Sequence, residues 1–100
     1  ALASYERAIQ TAFREVADAL ARQGTIADER RASDLRVAAT ADTARLTEAR
    51  YRGGVDSYLQ NLDAQRSLYA ARQQDVAVRL AQVANRVALY RALGGDQASQ

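Results

Sequence analysis

The chain contains no cysteine, histidine, methionine, tryptophan, lysine or proline. Without Cys or His there is no disulfide, no thiol nucleophile, no catalytic triad and no zinc site of the ordinary kind. Without Pro, nothing rigidly interrupts a helix. One Phe and five Tyr leave little for a β-core. Uncharged internal runs reach only about six residues, as from Ala8 to Phe13, far below the ~18 apolar residues of a membrane-spanning helix. The lack of methionine points to a processed protein or an excised fragment rather than an untreated gene product. A fragment is the expected reading, and any leader of its parent would be invisible here.

Charge excludes further classes. The 14 basic residues, all Arg, and 12 acidic residues give a net charge of +2, with the two signs interspersed. Nucleic acid would require a clustered basic face, so none is expected as a partner. Carboxylates are scattered, and the adjacent pair Asp28 and Glu29 does not share a helix face. Gly53-Gly54 is no phosphate loop, since it lacks both a glycine-rich run and a lysine. No enzymatic activity, metal or cofactor is expected.

What is present favours helix. Alanine supplies 23 of the 100 residues, and Leu, Arg, Gln and Glu are further helix formers. The one paired glycine in the interior, Gly53-Gly54, divides two long helical stretches. The expected fold is all-α: a long antiparallel helical hairpin of coiled-coil type, helix about 2–52, turn 53–56, helix about 57–93, forming a single unit over 1–100.

The second helix carries a heptad column at 55, 59, 62, 66, 69, 73, 76, 80, 83, 87 and 90. Its residues are Val, Leu, Leu, Arg, Tyr, Gln, Val, Leu, Val, Val and Tyr, a pattern of coiled coils and of long bundle helices alike. Leu68, Val78, Leu89 and Leu93 lie roughly opposite this column. One partner helix cannot cover both sides, which predicts further helical neighbours. One flank carries Arg72, Arg79 and Arg86; the other reads Asp56, Asp63, Ala70, Ala77 and Ala84. These flanks are either simply solvated faces or surfaces turned to two different environments. Ser57 and Gln60 have capping-box spacing, with Asp56 as the rival N-cap, and Gly94-Gly95 is the expected stop.

In the first helix, Leu2, Tyr5, Ile9, Ala12, Val16 and Ala19 form a stripe that loses phase between Gln23 and Ser33. A stop at Gly24 with a new cap at Thr25 is one reading; the preferred one is a continuous helix with a local irregularity. Small residues between Ala32 and Ala49 either permit close helix approach or simply favour helicity. Folding about Gly54 sets residue i near residue 108 − i, leaving Leu2, Tyr5, Ile9 and Phe13 without an intrachain partner. That stripe needs a larger parent or an oligomer to cover it.

The turn, Ala49-Arg50-Tyr51-Arg52-Gly53-Gly54-Val55-Asp56-Ser57-Tyr58-Leu59, is followed by Leu62-Asp63-Ala64-Gln65-Arg66-Ser67-Leu68-Tyr69. Together they closely resemble the TolC-like outer-membrane factor family, the outer-membrane efflux proteins of tripartite pumps. The flanking stretches Tyr5 to Leu20 and Val87 to Gly95 agree, and the likeness is greatest to members serving resistance-nodulation-division drug pumps. The resemblance implies a homotrimer with an outer-membrane β-barrel, absent from this chain, and a periplasmic α-barrel of which this hairpin is one part. It implies no catalysis, and partnership with a periplasmic adaptor and an inner-membrane efflux transporter. Tyr51, Arg52, Gly53, Gly54, Val55 and Asp56 would form the periplasmic tip, where docking and latching occur. Asp63 would join an acidic pore constriction. Gln60 stands where some members carry a further acid, so the ring would hold fewer charges. Asp56 stands where some members place a latch arginine. The alternative is a structural coiled-coil hairpin that mediates oligomerisation or adaptor-type docking without forming a channel.

Overall fold

A computed structural model of the chain describes residues 2–98, with side chains through Gly94. Two helices account for nearly all of it: α1, Leu2–Arg52, and α2, Tyr58–Ala98. No strand occurs among the described residues. The all-α hairpin expected from composition and from the glycine break is what forms.

α1 runs through Gly24 without interruption. A Cβ at Gly24 would meet nothing within 4 Å, so this glycine marks no close approach. Thr25 does not cap a new helix; its hydroxyl donates back to the Ala21 carbonyl at 3.3 Å. The continuous-helix reading therefore holds. α2 does not stop at residue 93, as the sequence suggests, but carries Gly94 and Gly95 within it to Ala98. Two glycines cost a helix only about 1 kcal/mol each relative to Ala. No proline follows to end it, and Gly54 is the one described glycine with positive φ.

The helical contacts fall into two compact units, Ala1–Asp28 with Leu80–Gln100, and Glu29–Arg79. In the second unit Ala44, Ala64 and Leu68 form the buried cluster, with Ala41 packed against it, and Ala71 is also buried. Apart from Leu68 these side chains are alanines. The Ser33 hydroxyl donates to Asp75 Oδ1 at 3.0 Å, which realises the 108 − i register. Arg36 Nη1 adds a bond to Gln74 Oε1 at 2.7 Å. In the first unit, Ala19 and Ile26 are buried, and Asn85 Nδ2 donates to the Ala19 carbonyl at 2.9 Å.

The heptad column of α2 does not face α1. Leu59, Tyr69, Val76, Leu80, Val83, Val87 and Tyr90 are all exposed. Buried or half-buried residues at 64, 68, 71, 75, 78, 82, 85, 89 and 92 instead form a second column with the same alternation of four and three; 61, 62, 81 and 94 are half-buried as well, so Leu62 alone in the first column is not exposed. Periodicity detects both columns but cannot say which one meets the intrachain partner. Side-chain size decides it: the narrow face of α1, with Ser33, Ala41 and Ala44, fits the column of smaller and polar residues. Leu93, expected beside Leu68, Val78 and Leu89, is exposed where those three are covered. The exposed Leu2, Tyr5, Ile9 and Phe13 match the orphan stripe read from the sequence.

Candidate functional site

The tip is built by the chemistry of helix termini. Gly54 sits at φ +80°, a conformation open to glycine because it lacks a Cβ. Around it the Val55 amide donates to the Arg50 carbonyl at 2.8 Å, and the Gly54 amide to the Tyr51 carbonyl at 3.0 Å. This 6→1 and 5→2 pair is a Schellman motif, which satisfies carbonyls that the last turn of α1 would otherwise leave open. Arg50 and Arg52 also place positive charge at the negative end of the helix dipole.

α2 opens with a reciprocal capping box. Gln60 N donates to Ser57 Oγ at 3.2 Å, and Ser57 N donates to Gln60 Oε1 at 3.0 Å. Ser57 is thus the cap. Asp56, its rival in the sequence, instead accepts from Arg50 Nε at 3.0 Å. Beside this pair, Arg52 Nη2 bonds Glu48 Oε1 at 2.8 Å. The Tyr51 and Tyr58 rings meet edge to face, with centroids 5.7 Å apart.

The residues singled out in the sequence are therefore brought together unequally. Tyr51, Arg52, Gly53, Gly54, Val55 and Asp56 make one continuous tip. Within it Asp56 and Arg52 are tied to neighbouring charges, whereas Val55 is 67% exposed. Asp63 and Gln60 stand three residues apart on α2, both exposed, and the Gln60 amide group closes the capping box. Sequence reasoning missed Arg50 and Tyr58. Their signals were a six-residue Arg–Asp spacing across a glycine turn, and a second Tyr just beyond it.

It also missed a polar cluster on the 29–79 unit. Asp75 accepts from Ser33 and from Arg79 Nε, the latter at 3.0 Å, while Arg79 Nη2 lies 3.9 Å from Asp34. Desolvation works to raise the Asp75 pKa. The Ser33 hydrogen bond and the Arg79 charge outweigh it, and the carboxyl titrates below the usual aspartate value. Arg79, placed by sequence in a basic flank, thus acts within the chain.

No group of three or more potential metal ligands stands together among the described residues. No helix among them is long and apolar enough to cross a membrane. What the residues assemble is a helical scaffold with a shaped end and an exposed apolar column.

Comparison with known proteins agrees. The family model for outer membrane efflux proteins matches residues 1–95. The chain is 49% identical over 94 residues to the probable efflux pump outer membrane protein TtgC of Pseudomonas putida, covering 94% of this chain and 19% of that protein. It is 47% identical over 94 residues to the solvent efflux pump outer membrane protein SrpC of Pseudomonas putida, covering 94% and 20%. It is 44% identical over 92 residues to the cation efflux system protein CusC of Escherichia coli O157:H7, covering 92% and 20%. The chain belongs to the outer membrane efflux protein family. It spans about a fifth of the length of these curated relatives.

Proposed function

We propose that this hairpin is one segment of the periplasmic α-helical tunnel of a trimeric outer-membrane efflux channel. In this role it exports drugs or other small molecules together with a periplasmic adaptor and an inner-membrane transporter. The observation that carries the reading is the exposed heptad column of α2, from Leu59 to Tyr90. A helix that packs its small column against its own partner and leaves its large one free is suited to a wall of several helices. The names of the relatives supply the setting: each is an efflux protein, of solvents in one case and of cations in another.

Within that reading the tip from Tyr51 to Asp56 is the docking end. Asp63 lies on the flank that also carries Ala70, Ala77 and Ala84, with Gln60 one turn nearer the tip, and in this reading that flank faces the lumen. Conductance of the intact channel tests the pore assignment. Asp63→Ala is expected to weaken cation preference and loosen closure at rest. Unchanged selectivity and unchanged closure would remove Asp63 from the pore and leave a structural hairpin as the better description.

A further inference from the structure

Arg50 engages the residues beyond the glycine turn twice. Its carbonyl accepts the amides of Val55 at 2.8 Å and Asp56 at 3.3 Å. Its side-chain Nε donates to Asp56 Oδ2 at 3.0 Å. Asp56 is therefore held through both its amide and its carboxylate by one residue six positions earlier. The Asp56 side chain is only 13% exposed, against 51% for Arg50. Partial desolvation of the acid strengthens a pair that would be weak if both partners were fully solvated.

Asp56 directly precedes Ser57, the cap of α2, so this double hold joins the end of α1 to the start of α2. The Schellman pair fixes the backbone through Val55, and the longer bond from the Asp56 amide to the Arg50 carbonyl reaches one residue further. The Arg50–Asp56 pair carries the constraint onward to the capping box. Arginine suits the task because Nε lies in a rigid planar fork, whereas a lysine ammonium on its flexible stem would not set the direction of the bond.

We propose that Arg50 is the positioning residue of the tip. By clamping Asp56 it presents Val55 and the Gly53-Gly54 backbone in one preformed shape to the docking partner. The clamp stands on the hydrogen bonds just described, and its use in docking rests on the proposed function. A preformed loop loses less conformational entropy on association than one ordered at the moment of contact. Asp56 then acts as an internal strut and does not reach outward to a latch.

Hydrogen–deuterium exchange of the intact protein in detergent, followed on peptides spanning 50–61, tests the clamp directly. Arg50→Gln and Asp56→Asn are each expected to speed exchange at the tip roughly two- to fivefold. The double variant is expected to exchange no faster than the faster single one, and Arg50→Lys to fall between wild type and Arg50→Gln. Unchanged exchange in both single variants, or effects that multiply in the double, would overturn the proposal. Efflux-dependent resistance of cells carrying the same variants reads docking separately. Loss of resistance in step with faster exchange supports both ideas. Faster exchange with full resistance supports the clamp and removes docking from the role of the preformed tip.

Discussion

The hydroxyl of Ser33 on α1 donates to the carboxylate of Asp75 on α2 at 3.0 Å, through side chains that are almost covered. The seam around this bond is otherwise rich in alanine, and alanine faces alone would tolerate sliding by one heptad. A slip in one direction would set Ser33 against Leu68. In the other direction it would set Asp75 against Thr40, whose hydroxyl already donates to the carbonyls of Arg36 and Val37. The polar pair therefore specifies register, as a single buried polar residue does in a coiled coil. Ser33→Ala is expected to lower stability by leaving a carboxylate oxygen short of a donor. Denaturant titration measures this, and a change within experimental error would mean that the seam is set by packing alone.

The same pair gives the chain an acid dependence of known sign. Asp75 titrates below its ordinary value of 3.8 because Ser33 and Arg79 outweigh desolvation. A carboxyl with a depressed folded pKa contributes stability that is fully present above its unfolded value and lost as pH falls through the folded one. The stability advantage of wild type over Asp75→Asn should hold at neutral pH and shrink below pH 3.8. Thermal melts at a series of pH values would reveal it; an advantage that stays constant into strong acid would contradict the assigned cause.

Three glycines should answer alanine differently. Gly54→Ala forces a Cβ into φ +80° and is expected to cost about 1–2 kcal/mol. At Gly53 a Cβ would meet the Ala49 carbonyl at 3.5 Å, an ordinary contact, and little change is expected. Gly24→Ala, inside α1 with open space around it, is expected to stabilise by about 1 kcal/mol. Melting temperatures of the three variants should rise in that order, and a Gly54→Ala variant as stable as wild type would refute the turn geometry.

Capping and pore roles can be separated at one position. Ser57→Ala removes the cap and is expected to cost about 1 kcal/mol. Gln60→Glu keeps an oxygen for the Ser57 amide while adding a charge, so the fold should be spared. If Gln60 lines a constriction, that variant conducts cations more selectively. An unaltered single-channel record would place residue 60 outside the conduction path.

The two columns of α2 should respond in opposite ways. Leu68 is 8% exposed within the alanine cluster, and Leu68→Ala should destabilise the chain by about 2–3 kcal/mol. Leu80 is 64% exposed, and Leu80→Ala should change stability of the chain by less than about 0.5 kcal/mol. Assembly should show the reverse, with Leu80→Ala weakening association measured by light scattering. Equal association by both proteins would mean that the exposed column is not an assembly surface.

Much of this was legible in the residues. The bounds of α1, the turn and the capping box follow from glycine and from the Ser57–Gln60 spacing, because these are local effects. The register followed from the position of the turn. The facing of α2 did not, because its two columns share one period, and the one that meets α1 is the more polar, with Asp75, Gln82 and Asn85 in it. The end of α2 was misplaced because a glycine pair permits a stop without compelling one. Arg50 escaped notice because its importance lies in an ion pair across the turn, which depends on the path of the backbone and not on any pattern along a helix.

The outward column has a consequence for how such a hairpin is kept in a cell. Its exposed apolar side chains lie away from the buried positions between α1 and α2, which are mostly alanine, with Ile26 and Leu68 the large exceptions. The hairpin's intrachain contacts and its exposed apolar column are on different faces. If the outward column is the assembly surface proposed above, a hairpin that has found its neighbours is expected to outlive one that has not.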